Sequence, residues 1–248
     1  MTPVKMTTLE LDAAAARLET APAESILAWA YDNFSRPTLV ASFQAESSVL
    51  IDMACRLRDD VRVVTLDTGR LHPETHEVMD VFRARYGIRL QVVAPDAHEI
   101  EGMVAEHGVN LFYNAPELRY LCCDVRKSRP LTRALAGCDA WFSGIRRAQA
   151  TTRSATPVVS EDRTHDGIAK VAPLARWSTA DVWEYIERHD VPQHALYARG
   201  FTSIGCLPCT RATRPGEDPR AGRWWWEHGE AKECGLHWPN EPEEEGAA

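Results

Sequence analysis

Four of the seven cysteines stand in two tight clusters, Cys122-Cys123 and Cys206-Leu207-Pro208-Cys209, and a fifth stands alone in Glu233-Cys234-Gly235-Leu236-His237. This layout separates a metal-binding set from a reactive thiol. Four thiolates brought together can hold an iron–sulfur cluster or a zinc ion, whereas an isolated cysteine beside a glycine and close to a histidine is placed to act as a nucleophile. Structural zinc sites normally draw on two spaced pairs of the C-x2-C type. Here the first pair has no spacer, so its thiols leave one turn in diverging directions. A cubane offers separate iron corners to neighbouring cysteines, so one [4Fe-4S] cluster on Cys122, Cys123, Cys206 and Cys209 suits the set better than a zinc ion, which stays open. Disulfides are not expected, because the count is odd, adjacent cysteines rarely pair and no apolar signal segment opens the chain.

The elements that must position these thiols alternate. Residues 38–43 (TLVASF), 61–66 (VRVVTL), 90–93, 140–144 (AWFSG) and 168–173 (IAKVAP) read as strands, and 47–57, 73–86, 97–107 and 116–136 as helices. Ser178-Thr179-Ala180-Asp181 is a capping box for a helix running to His189. Leu9 to Leu18 and Ser25 to Phe34 read as amphipathic helices that pack on the body or on another subunit, which leaves a homo-oligomer open. The alternation predicts an α/β fold, a mainly parallel twisted sheet with helices on both faces and its ligand at the carboxyl ends of the strands. Residues 1–210 form one domain in this reading, and 211–248 a mobile tail that carries Cys234. The 248 residues, 44% of them hydrophobic, suffice for one core. The formal charge of -8, with acidic residues gathered in the last stretch, argues against nucleic acid as a partner. No run approaches the ~20 apolar residues that a membrane span needs. A soluble cytoplasmic protein is therefore expected.

Three strand ends carry polar sequence. Ser42, Phe43, Gln44 and Ser47 lie in a loop whose N–H groups and hydroxyls could face an anion at the next helix's N-terminus, although it lacks the glycines and lysine of a Walker loop. Leu66, Asp67 and Thr68 lead into Gly69-Arg70 where a nucleotide's sugar or base would lie. Gly144, Arg146, Arg147 and Arg153 concentrate positive charge. All three loops point to one anionic ligand.

With LDTGRLHPET at 66–75, CCDVRK at 122–127, GIRR at 144–147, GCLPCT at 205–210, RPGEDPRAGRWWWE at 214–227 and ECGLH at 233–237, the chain resembles the assimilatory adenylyl-sulfate (APS) reductases, within the larger APS/phosphoadenylyl-sulfate (PAPS) reductase family. The resemblance covers the chain from about residue 38 onward. It implies a fold related to the ATP pyrophosphatases (adenine nucleotide alpha hydrolases) and the conversion of APS to sulfite and AMP, with thioredoxin or glutaredoxin as electron donor. It further implies that the Cys234 thiolate attacks the sulfur of APS and forms an S-sulfocysteine, and that Lys127, Arg220, Arg223 and His237 line the sulfate end of the pocket. The phosphosulfate and a thiolate-bound cluster are both negative, so cations must lie between them, and Lys127 is well placed to be one. Many PAPS-specific relatives lack the cluster cysteines, so the resemblance favours APS while PAPS or dual use stays open. An ATP-dependent adenylating or thiolating enzyme of the same fold is the reading from another class; its S-G-G-x-D-S loop is replaced here by Ser42-Phe43-Gln44-Ala45-Glu46-Ser47.

Other features are read as structural. His72 and His76 are spaced i,i+4, but Pro73 stands where a zincin has glutamate, and they read as helix-surface residues. Cys55 and Cys138 read as packing residues, and Trp224-Trp225-Trp226 as an anchor for the tail.

Overall fold

The alternating strand and helix signals fold into one six-stranded sheet in the computed structural model, which describes residues 5–227. Strands β1 (Pro37–Val40), β2 (Arg62–Leu66), β3 (Arg89–Val93), β4 (Ala140–Phe142), β5 (Val159–Asp162) and β6 (Ile168–Val171) lie in the order β3-β2-β1-β4-β6-β5. Every pair is parallel except β5 with β6. From β1 the chain moves outward through β2 and β3, and β4 returns to the other side of β1. The direction of winding therefore reverses between β1 and β4, which opens a crevice at their carboxyl ends.

Strand side chains alternate between two apolar layers. Leu39, Ala140, Phe142, Ala169 and Val171 join the large core, to which α1 (Thr8–Leu18), α2 (Ala23–Asn33), α3 (Ala45–Leu57), α4 (Pro73–Tyr86) and α8 (Thr179–His189) contribute. Val40, Trp141 and Ile168 face the opposite side with Leu131 and Leu135 of α7 (Arg129–Leu135). A period of two is thus read as two buried faces, as a parallel sheet covered by helices requires. A third apolar cluster holds Cys122, Cys123, Cys206, Cys209 and Trp224, with Met103 from α5 (Ala97–His107).

The structure changes several expected boundaries. The helix expected over 116–136 is α6 (Pro116–Cys123), a π-helical turn over Asp124–Ser128 and then α7. Pro130 cannot donate a backbone hydrogen bond and its ring crowds the preceding turn, so the ladder widens just after the cysteine pair. Strand β1 stops at Val40 because Phe43 takes a left-handed backbone (φ 56). Strand β5, whose Ser160, Glu161 and Asp162 are polar, was not expected, since it has little apolar signal of its own. Ser178 and Asp181 close their capping box reciprocally at 2.7 and 3.1 Å. Residues 211–227 pack on the body: the Arg211 N–H donates to Gly222 O, Thr210 bridges Arg223, and Trp224 is fully buried. Among the described residues no helix is long and apolar enough to cross a membrane.

Candidate active site

The crevice at the switch point is a cavity of about 780 Å³. The N-terminus of α3 forms one wall, through Ala45, Glu46 and Ser47. Gln44, in the N-cap position, makes no side-chain cap. Its amide instead donates to Ser42 Oγ (3.2 Å) and accepts from the Ile204 N–H (2.8 Å). The helix thus presents to the cavity a positive end that its N-cap side chain leaves unbonded, only the Ala45 N–H being taken, by the Tyr197 hydroxyl, a setting that favours an anion. Phe43 explains how the loop reaches this shape. Its ring is fully buried against Phe82, with centroids 5.5 Å apart, while its left-handed backbone turns Ser42 and Gln44 toward the cavity. A left-handed residue other than glycine costs ~1–2 kcal/mol, which burial of the ring offsets.

The ends of β2 and β4 supply the neighbouring walls. Leu66 and Thr68 line the cavity. Asp67 holds the turn instead, accepting from the Gly69 N–H (2.8 Å) and pairing with His76 (3.0 Å). Gly144 lies so close to α3 that a Cβ there would stand 3.0 Å from Glu46 Cβ. Arg146 is buried and paired with Glu46 at 2.8 Å, and Gln149 joins Glu46 (3.0 Å) to Arg153 (2.6 Å). Arg147 turns away, clamping Glu19 through both Nη atoms (2.6 and 2.9 Å) and donating to Thr156 O. The basic loop therefore sends Arg146 and Arg153 to the cavity wall and spends Arg147 on fixing the N-terminal helices.

The far end of the cavity belongs to the cysteine lobe. Lys127, Arg220, Arg223 and Cys206 all line it, although they come from segments some ninety residues apart in the chain. Thr68 is the joint between the two parts: its Oγ1 lies 3.3 Å from Cys206 Sγ, and its carbonyl accepts from Arg126 Nη1 at 2.7 Å. The Leu207 N–H donates to Arg70 O (2.8 Å), which ties the second cysteine pair to the β2 loop. Gly205 is required by close approach. Any Cβ there would sit 2.5 Å from Arg223 Nη2, so the missing side chain makes room for a guanidinium lying flat over the backbone. Arg223 also covers the Trp224 ring at 4.6 Å. Arg119 covers the same ring at 4.5 Å and is tied to Glu227 at 2.5 Å.

Three cations of this lobe have no carboxylate partner among the described residues. Arg70 donates to Val109 O and Asn110 Oδ1, Arg126 to Thr68 O, and Arg223 to Ser203 Oγ and Ile204 O. The Nε atoms of all three are buried without a hydrogen-bond partner among the described residues. Burial pushes the Cys209 thiol up to about 12 and raises Cys122, against the pull of Lys127 and Arg223 on the former and of Arg126, Arg70 and Lys127 on the latter. Four buried thiols beside guanidinium groups that meet no carboxylate among the described residues form a donor set suited to an anionic metal cluster, which would take the thiols as thiolates and balance the cations. Among the described residues no three His, Cys, Asp or Glu side chains are grouped so as to hold one metal ion.

Cys234 and His237 lie outside the described residues. Sequence reasoning passed over Tyr197, whose hydroxyl accepts the Ala45 N–H (2.8 Å), and over Arg126, Gln149 and Arg119. Neither Tyr197 nor Gln149 stands in a recognisable motif. Arg126 lies within the CCDVRK run, where the charge beside the cysteines was a signal. His72 is not on a helix surface: it is buried at the N-cap of α4, edge-on to Phe201.

Comparisons with known proteins agree with this architecture. Residues 36–212 match the phosphoadenosine phosphosulfate reductase domain. The chain is 46% identical over 214 residues to adenosine 5′-phosphosulfate reductase of Burkholderia cepacia, covering 86% of this chain and 85% of that one. It is 47% identical over 196 residues to the enzyme of the same name from Allochromatium vinosum, covering 79% and 76%. Among solved structures, a PAPS reductase from Candida auris in a phosphate complex superposes with a TM-score of 0.72 at 26% identity, covering 84% of this chain and 99% of that one. Yeast FAD synthetase shares the fold alone, at a TM-score of 0.55 and 16% identity, over 84% of this chain and 70% of that one. Fold, motif order and relatives concur, and this chain belongs to the phosphoadenosine phosphosulfate reductase domain family.

Proposed function

We propose that this protein reduces adenosine 5′-phosphosulfate to sulfite and AMP in sulfate assimilation, with a dithiol protein of the thioredoxin or glutaredoxin kind as electron donor. The observation that carries the reading is one cavity with the N-terminus of α3 at one end and Lys127, Arg220, Arg223 and Cys206 at the other. It suits a ligand with two anionic groups joined in line. The 5′-phosphate would lie at the N-terminus of α3, the sulfate among the three cations and the ribose along Leu66, Thr68 and Gly144. Phe43 and Arg147 would hold the walls rather than touch the nucleotide.

The Cys234 thiolate would attack the sulfur of APS, forming an S–S bond and breaking the bond from sulfur to the phosphate oxygen, so that AMP leaves with both bonding electrons. Lys127, Arg220, Arg223 and His237 would balance the negative charge that gathers on the sulfate and leaving-group oxygens. The donor's first thiolate then attacks Cys234 sulfur and expels sulfite; its second thiol resolves the mixed disulfide and returns Cys234 reduced. The donor loses two electrons and sulfur passes from the +6 to the +4 state. Cys122, Cys123, Cys206 and Cys209 would hold a [4Fe-4S] cluster, which when bound supplies a structural cross-link and fixed negative charge beside Arg70, Arg126 and Lys127. None of the six cysteines among the described residues is in a disulfide.

Reduction of PAPS is the second reading, favoured by the structural likeness to the Candida auris enzyme. Sulfite release from anaerobically purified, iron-containing protein given thioredoxin and either sulfonucleotide separates the two. The expected result is a kcat/KM clearly higher for APS. Sulfite from neither, with consumption of ATP in its place, would move the protein to the ATP-dependent class of the same fold.

A further inference from the structure

Beside the cysteine end of the main cavity two guanidinium groups meet at one indole. Arg223 lines the cavity and lies 4.6 Å from the centroid of the Trp224 ring, and Arg119 lies 4.5 Å from the same centroid. Trp224 itself is fully buried outside the cavity lining, in the apolar cluster of Cys122, Cys123, Cys206 and Cys209. Its backbone is left-handed (φ 43), a conformation rare for so bulky a residue. Side chains that follow one another on an extended chain point to opposite sides. The left-handed backbone at Trp224 breaks that alternation, so Arg223 covers the ring of its own neighbour, and the Trp224 N–H holds the turn by donating to Cys209 O at 3.1 Å.

The way Arg223 is held preserves its charge. Its hydrogen bonds within the fold are long, 3.3 Å to Ser203 Oγ and 3.4 Å to Ile204 O, and it meets no carboxylate among the described residues. The rest of its support is a ring face and the bare Cα of Gly205, where any Cβ would stand 2.5 Å from Nη2. An aromatic face attracts a guanidinium without neutralising it and leaves the N–H edge of the plane for a ligand, and the attraction is largest where water is excluded. A carboxylate in the same place would fix the group and cancel its charge. Arg119 shows that second arrangement on the same ring, since Glu227 takes its Nε. One indole thus carries a compensated cation and a cation kept for a ligand.

We propose that Trp224 is a positioning residue for the reduction proposed above: its indole face holds the Arg223 guanidinium flat at the sulfate end of the cavity and leaves its charge to the oxyanion. This role rests on the cavity being the sulfonucleotide site. Trp224 touches neither the nucleotide nor the sulfate and acts through Arg223.

Graded fluorination of the Trp224 indole tests it in the full-length, iron-containing protein. Fluorine drains the negative face of the ring with little change of shape, so a packing role would not respond, whereas a cation–π hold weakens step by step. Position 224 is filled in turn with tryptophan and its mono-, di- and trifluorinated forms, and ADP and AMP are titrated into each protein by calorimetry. ADP carries a phosphoryl group where the sulfate of APS would lie, so its affinity relative to AMP reads the Arg223 end. The expected result is an ADP advantage that falls with each fluorine, by about tenfold across the series, while AMP affinity and iron content stay constant. In Arg223→Met the advantage should be small and should no longer follow the fluorine count. An ADP advantage that is equal in every form would overturn the proposal, as would ADP binding no tighter than AMP to the wild type. The readout needs no turnover. Sulfite release from neither APS nor PAPS would therefore count against the proposed function and leave the fluorination series to decide the role of Trp224.

Discussion

The two ends of the main cavity treat positive charge in opposite ways. At the strand-loop end the guanidinium groups are neutralised within the fold: Arg146 by Glu46 and Arg147 by Glu19, with Gln149 linking Glu46 to Arg153. In the cysteine lobe Arg70, Arg126 and Arg223 rest on carbonyls, hydroxyls and an amide. The first end is complete as folded, and its anion site is a helix terminus that needs no further countercharge. The second is left electrostatically unfinished. A buried cation held only by neutral dipoles is costly until an anion arrives, so this end is built to receive negative charge beyond what the described residues place beside it. Arg119 is the exception that marks the boundary, since its full burial is met by Glu227.

The contrast can be broken most severely at the reacting thiol. Cys234→Ser should lower sulfite formation by more than ~10³-fold while AMP affinity, measured by calorimetry, and iron content stay at wild-type values; substantial residual turnover would remove Cys234 from the chemistry. Next in size, Arg119→Ala should destabilise the protein by about 3–5 kcal/mol, because it strands Glu227 and empties the space over Trp224. Urea unfolding at pH 7.5 would show this, and a loss below ~1 kcal/mol would mean that the pair is not closed in solution.

Gly205→Ala sharpens the comparison at the unfinished end. The added Cβ must displace the Arg223 guanidinium, and we expect kcat/KM to fall roughly tenfold to a hundredfold, as for loss of one transition-state hydrogen-bond donor, with the strand-loop end unaffected as judged by AMP binding. The smallest effect belongs to the finished end. His194 is buried, with Nδ1 accepting the Leu196 N–H and Nε2 against Thr75 Oγ1, and burial lowers its pKa to about 4. The unfolded chain binds that proton near 6.5, so the neutral imidazole's contribution is present above pH 6.5 and is lost as pH falls toward 4. Between pH 7 and pH 5 the loss should be roughly 1–2 kcal/mol. The corresponding difference in denaturation midpoints should shrink in His194→Gln; an equal pH dependence in that variant would assign the effect to other groups.

Much of this arrangement was legible in the residues. The period-two strands, the Ser178/Asp181 box and the proline opening α4 each act through neighbours a few positions away, and all appear where local chemistry puts them. The cysteine clusters and the loops at 42–48, 66–70 and 144–147 were equally visible, because reactive residue types in short runs announce themselves. What could not be read was where each side chain points. Phe43 and Arg147 stand in the same runs as Ser42 and Arg146, yet the ring enters the core and the second guanidinium crosses to Glu19. Nothing within five residues decides between those directions. The partners lie far away in the chain, at Phe82 and Glu19.

Element order, the parallel α/β class and the inventory of thiols and cations follow from the residues alone, since these depend on period, caps and residue type. Tertiary structure decided the rest. Only the reversal of strand order between β1 and β4 makes one cavity of three loops, and only the packing of 204–224 onto the β1 and β2 loops carries Cys206 and Arg223 to it. Whether a given arginine is neutralised or left waiting is set by contacts between segments a hundred residues apart, and charge compensation at that range is a property of the folded molecule alone.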